Sequence, residues 1–203
     1  EIRLNGAIHS ALPIISVASN GTWLLKASQA IAPGSYKVTV LQLMNGVYSL
    51  PIELKDSLII KPLAPANVLA VPNGLSAEVS GSCWPGASLL LLLKPGDLEV
   101  AIPASSTAEG KWTSTVAPQP GGYNVTVTQT FSEQTSPYAG PVPFNIATPK
   151  PKITSPVNQQ ETDFRPEIKG NNGYPGATVA VFDSKVAGPA LGETIVPESG
   201  EWI

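Results

Sequence analysis

Pro120-Gly121-Gly122-Tyr123-Asn124-Val125-Thr126-Val127 reads as a turn running into a strand. The Pro-Gly-Gly cluster interrupts any regular element. After it, Tyr123, Val125, Val127 and Phe131 alternate with Asn124, Thr126 and Thr128. That period of two gives one buried and one wetted face. The stretch has a near copy 87 residues earlier, Pro33-Gly34-Ser35-Tyr36-Lys37-Val38-Thr39-Val40. Three tripeptides repeat with it: Gly21-Thr22-Trp23, Gly110-Lys111-Trp112 and Gly200-Glu201-Trp202, with tryptophans 89 and 90 residues apart. Trp84-Pro85-Gly86-Ala87-Ser88 pairs with Tyr174-Pro175-Gly176-Ala177-Thr178, and Glu78-Val79-Ser80-Gly81 with Glu167-Ile168-Lys169-Gly170. The markers keep one order. A period near ninety is too long for a solenoid unit and suits a sandwich of about 100 residues.

The expected fold class is therefore all-β, with tandem immunoglobulin-like sandwiches arranged end to end. The copies divide as 1–60, 61–148 and 149–203. Only the middle one is complete, with strands expected near Val68–Val71, Ser76–Gly81, Ser88–Lys94, Leu98–Ile102, Lys111–Val116, Tyr123–Phe131 and Val142–Ala147. Turn signals such as Pro72-Asn73-Gly74 and Lys94-Pro95-Gly96 separate them. The first copy opens near its third strand, at Glu1–Asn5. The third reaches Trp202-Ile203, where its fifth strand should start. The simplest account is a piece of a longer array; a sharper one is strand exchange between the third and first copies of neighbouring molecules.

Composition narrows the function classes. Charged residues make up 13%, about half the share of ~25% usual in globular proteins, so uncharged polar residues must cover the surface. The net charge of −3 comes without a basic stripe, which argues against nucleic acid as a partner. Cys83 is the only cysteine, so the cores must stand without an intrachain disulfide. The longest apolar run, Leu89 to Leu93, is too short to span a bilayer, and no signal-peptide pattern opens the chain.

The order Pro-Gly-Ala-(Ser/Thr), Gly-x-Trp, Pro-Gly-x-Tyr-x-Val is similar to the bacterial Ig-like repeats of large surface adhesins and other exported proteins. The resemblance covers essentially the whole chain as part, whole, part. It implies a non-enzymatic spacer on the cell surface or outside the cell. Its partners would be neighbouring domains of the same chain, with a host or cell-surface protein or glycan as possible loop ligands. Tyr36 and Tyr123 also resemble the tyrosine corner of immunoglobulin domains, with Val38 and Val125 where the second disulfide cysteine would stand. The tryptophan falls on the strand before that Tyr rather than on strand C, which departs from antibody-type domains. Relatives often hold calcium at their linkers. Here Ile60-Lys61-Pro62-Leu63-Ala64-Pro65 and Thr148-Pro149-Lys150-Pro151-Lys152 carry proline instead of clustered acids, so semi-rigid linkers without metal or other cofactor are expected.

Candidate chemistry is sparse. His9 is the lone histidine, too few for a triad or a common zinc site. Cys83 has no basic neighbour in sequence to activate it and reads as a packed turn residue. Asp97 and Glu99 are two apart on one expected strand and share a face, but the pair has no copy in the other repeats. Asp183 and Glu193 stand apart from other carboxylates in sequence. Trp23, Trp112 and Trp202 could stack on sugars, yet their fixed place after a turn glycine suits core positions. Trp84 and Tyr174 precede Pro-Gly in loops, where an aromatic either anchors a ligand or packs on a domain end. The Leu89–Leu93 run reads as a strand buried on one face and covered on the other. Asn20-Gly21-Thr22 and Asn124-Val125-Thr126 fit a glycosylation sequon but lie inside the repeat motifs. The expected function is a structural array, with a carbohydrate-binding accessory module of a larger enzyme or toxin as the alternative.

Overall fold

A computed structural model describes residues 1–102, 107–158, 161–162, 165–183 and 188–203. Within them the chain is all-β, without a helix. By compactness it gathers into two units. One holds Glu1–Ala70, Val79–Ser114 and Asn124–Pro143; the other holds Val71–Glu78, Thr115–Tyr123 and Phe144–Ile203.

The middle stretch forms seven main strands in two sheets. One sheet orders Lys111–Val116, Ser76–Ser82 and Ala66–Asn73. The other orders Leu98–Ile102, Ser88–Lys94, Gly121–Phe131 and the short Gln134–Thr135, with Ala139–Ile146 also on Gly121–Phe131. The chain crosses between the two sheets after Ser76–Ser82 and on either side of Lys111–Val116, as in an Ig-like sandwich. Alternation explains the burial. Leu89, Leu91 and Leu93 are buried, and Leu91 and Leu93 stand opposite Val127 and Val125, also buried. The other face of the leucine strand is less covered than expected: Leu90 is 38% exposed. Across the ladder Leu90 and Leu92 face Thr128 and Thr126, so this face mixes apolar and polar side chains. In the second unit Ala77, Val116, Phe144, Ile146, Val196 and Trp202 are buried.

The first sixty residues carry a four-stranded sheet, ordered Ala7–Ile8, Ile2–Leu4, Val38–Val40 and Ile52–Glu53, a two-stranded sheet of Gly34–Tyr36 with Leu58–Ile60, and a hairpin. Leu4 pairs with Val38 and Ile2 with Val40, matching Leu93 with Val125 and Leu91 with Val127, 89 residues on along one strand and 87 along the other. Asn45 and Gly46, both with positive φ, turn the Leu43–Met44 and Val47–Tyr48 hairpin, since a type I′ turn needs φ > 0 twice. Among the large apolar residues of this stretch only Leu4 is buried, while Ile14, Val17, Leu24 and Met44 are exposed. The last stretch pairs Lys152–Ser155 with Lys169–Asn171 and Thr178–Val181 with Gly192–Ile195, and Gly170 bridges Trp202.

Candidate functional site

The three Gly-x-Trp turns share one backbone device. Gly21, Gly110 and Gly200 take φ of +81°, +71° and +74°. Each donates its N–H to the carbonyl three residues back, on Ala18, Thr107 and Pro197. Gly110 shows why glycine is needed: besides its left-handed φ, a Cβ there would run into the Cys83 carbonyl. Trp112 and Trp202 are 3% and 4% exposed, as a core role requires. Trp112 lies over Gly81 and Trp202 over Gly170, where a side chain would collide with the indole. Trp202 Nε1 donates to the Asn171 carbonyl at 3.3 Å, whereas Trp112 Nε1 is buried without an acceptor among the described residues. Trp23 departs from the expected core position: it is 48% exposed. Unlike Trp112 and Trp202, it is not among the side chains lying against a described glycine.

The tyrosines sit as corners. Tyr36 donates its hydroxyl to the Ala32 carbonyl and Tyr123 to the Gln119 carbonyl, each four residues upstream at 2.8 Å. Tyr123 also stacks on Phe144, with centroids 5.6 Å apart.

Trp84 and Tyr174 are half-buried in matching turns, with the Ala87 and Ala177 amides bonded to their carbonyls. Trp84 tilts against Phe131 with centroids 6.1 Å apart. Tyr174 faces the preceding proline segment across a cavity of ≈ 320 Å³ lined by Thr148, Pro149, Pro151 and Phe182 among others. What holds the Trp84 turn is Gln129, which sequence reading passed over. By register Gln129 stands opposite Leu89, on the buried face, where a polar residue must find partners. Its Oε1 accepts the Trp84 N–H at 2.6 Å, and its Nε2 donates to the Leu63 carbonyl at 2.7 Å. The side chain thus clamps the proline segment, whose Pro62 and Pro65 are buried, to the Trp84 turn. Ser136 secures the clamp: Gln129 N–H donates to Ser136 Oγ at 3.0 Å, and Ser136 N–H to the Gln129 carbonyl at 2.9 Å. Gln42 and Ser49 repeat both bonds at 3.0 and 2.9 Å. A shared offset of 87 residues, Gln after Val-x-Val-x and Ser seven further on, was the signal available in sequence.

The other candidates do not converge. Nδ1 of His9 accepts the Ala11 N–H at 3.2 Å, a local turn bond. Cys83 is half-buried, and burial pushes its thiol pKa up, away from reactivity. Asp97 does not share a strand face with Glu99. It sits in the turn before Leu98–Ile102 with φ +48° and pairs with Lys94 at 3.1 Å. The Asn20 side chain accepts from the Thr22 N–H and hydroxyl, shaping its turn. Outside these motifs, the Arg3 guanidinium beside Glu1 holds that carboxyl below its usual range, with the Tyr48 hydroxyl adding a second bond at 2.9 Å. Among the described residues no group of three His, Cys, Asp or Glu side chains could hold a metal ion, and no helix is long and apolar enough to cross a membrane.

No family model matches the chain, and no curated protein matches its sequence. The chain is similar to the crystal structure of the selenomethionine-substituted chicken interferon gamma receptor alpha chain, at 10% identity and a TM-score of 0.39. The match covers 56% of this chain and 66%, just under two thirds, of that one.

Proposed function

We propose that the chain is a non-enzymatic structural array of Ig-like sandwiches, dividing near residues 61 and 149, within a larger exported bacterial protein. It spaces and orients its neighbouring domains, and its loops make secondary protein contacts at the cell surface. The observation that carries this reading is the Gln129 clamp. Trp84, the best-placed loop aromatic, has its turn tied to the proline segment at Leu63 and its ring set against Phe131. A side chain held in this way stiffens a joint. A ligand anchor would instead present an open aromatic face with polar groups converging around it. The resemblance to bacterial Ig-like repeats and the fixed order of turn and core motifs support the same reading.

Trp84→Ala in the full chain separates it from the carbohydrate-module alternative. The spacer reading expects a lower melting temperature and a glycan array that is blank before and after the substitution. Saturable glycan binding that Trp84→Ala abolishes, with melting unchanged, would transfer the role to sugar recognition.

A further inference from the structure

Five Asn-Gly pairs stand in the chain, at Asn5, Asn20, Asn45, Asn73 and Asn172. In such a pair the glycine nitrogen can attack the asparagine side-chain carbonyl carbon, because glycine puts no side chain in the way. All five asparagines are exposed, so exposure does not rank them. Their hydrogen bonds do. At Asn20 both reacting groups are held: Oδ1 accepts from the Thr22 N–H and hydroxyl, and Gly21 N–H donates to the Ala18 carbonyl. At Asn172, Nδ2 donates to the Lys150 carbonyl at 2.7 Å and Gly173 N–H to the Gly200 carbonyl at 3.0 Å. Asn5 and Asn45 sit in like turns, with φ of +51° and +79° at Asn5-Gly6 and of +50° and +82° at Asn45-Gly46. Asn5 is tied to Lys37 twice at 2.8 Å: its N–H donates to the Lys37 carbonyl, and its Oδ1 accepts the Lys37 N–H. The Asn45 and Asn73 side chains have no hydrogen-bond partner among the described residues. Asn73 ends the eight-residue strand Ala66–Asn73, which the ladder of a three-stranded sheet holds. Asn45 instead joins two strands of two residues each, Leu43–Met44 and Val47–Tyr48, in a sheet of their own. A hairpin of two strands alone is marginal and opens readily. Its counterpart in the complete sandwich, 87 residues on, is Ser132-Glu133, also with positive φ at both residues and exposed at both. The tip therefore meets solvent in a whole sandwich too.

We propose that Asn45 is a site of spontaneous deamidation, the first of the five to react. The Gly46 nitrogen loses its proton and bonds to Cγ of Asn45. The Cγ–Nδ2 bond breaks, ammonia leaves, and a cyclic succinimide remains. Water then opens the ring. Cleavage between the Gly46 nitrogen and Cγ gives aspartate on an unchanged backbone. Cleavage between that nitrogen and the main-chain carbonyl carbon gives isoaspartate, with the backbone rerouted through the side chain. Water is the only co-reactant, and nothing is oxidised or reduced. Either product sets a carboxylate between Met44 and Val47, which are 77% and 71% exposed, so an apolar tip becomes a charged one with age. Isoaspartate also adds a backbone atom to a two-residue loop that needs φ > 0 twice, so the hairpin loses its turn. A spacer role does not require this change, so the two proposals fail separately.

The test is to incubate the full chain in mildly alkaline buffer and sample it over weeks. Digestion and mass spectrometry with electron-transfer fragmentation then follow each Asn-Gly pair and separate aspartate from isoaspartate. The expected result is first-order loss of Asn45 to both products, faster at higher pH because the attacking nitrogen must lose its proton. Asn5 should react at least about tenfold more slowly, since two bonds to Lys37 must open first. Asn20 and Asn172 should be no faster than Asn5. In urea the five rates should draw together, because the fold is what separates them. Conversion should also speed amide exchange at Ser49, whose N–H bonds the Gln42 carbonyl across the hairpin. The series needs no variant to fold. Asn5 or Asn73 reacting as fast as Asn45 in the folded chain would overturn the proposal. So would an order of rates that persists unchanged in urea, which would place the cause in local sequence.

Discussion

Trp112 and Trp23 occupy the same turn in two regions, yet one is buried and the other is half in solvent. The turn is a local object: a left-handed glycine and one hydrogen bond to the third residue back specify it in both places. Burial is not local. It needs a second strand that brings a glycine under the indole, and Gly81 does this for Trp112 alone of the two. The same contrast separates Gln129 from Gln42. Their backbone bonds to serine match, but only the first amide has distant groups to hold.

The largest test of this contrast is truncation of the rings. Trp112→Ala should cost ~3–5 kcal/mol, the range for deleting a buried aromatic. Trp23→Ala should cost about 1 kcal/mol or less, since much of its ring already meets water. Native-state hydrogen exchange reads the two regions separately. Equal losses would mean that cover from a neighbouring strand does not decide what the ring contributes.

A smaller effect is expected at the clamps. Gln129→Leu keeps approximate volume but leaves the Trp84 N–H and Leu63 carbonyl without partners, a loss of about 1–3 kcal/mol in chemical denaturation. Gln42→Leu should change stability by less than about 0.5 kcal/mol. A Gln129→Leu protein as stable as the parent would show that solvent replaces the clamp and that the joint is not held there.

These differences trace what the sequence made legible. Strand positions in the middle sandwich could be read because Pro-Gly turns bound them and alternation fixes their faces. Strand ends were less sharp: the last main strand runs Ala139–Ile146 rather than Val142–Ala147. Trp23 misled because motif identity reports the turn, while burial depends on residues far away in sequence. Gln129 was missed because it breaks the apolar alternation, and a polar residue on a buried face gains meaning only when its partners, 45 and 66 residues away, are known. Asp97 misled because two residues of spacing imply a shared face only inside a strand, and the turn ends just after it.

The tyrosine corners reverse the comparison and give its finest test. Tyr36 and Tyr123 each bond a carbonyl four residues upstream at the same 2.8 Å, although they stand in the two regions that treat tryptophan so differently. Tyr→Phe removes only the hydroxyl and, at Tyr123, spares the stack on Phe144. Each substitution should cost about 0.5–1.5 kcal/mol, the net worth of one such hydrogen bond. The corner closes on its own segment, so the two losses should agree within about 0.5 kcal/mol despite the thin core around Tyr36. If Tyr36→Phe were silent while Tyr123→Phe was not, the corner would depend on sandwich cover as tryptophan does, and the division between local turns and distant cover would fail at its simplest point.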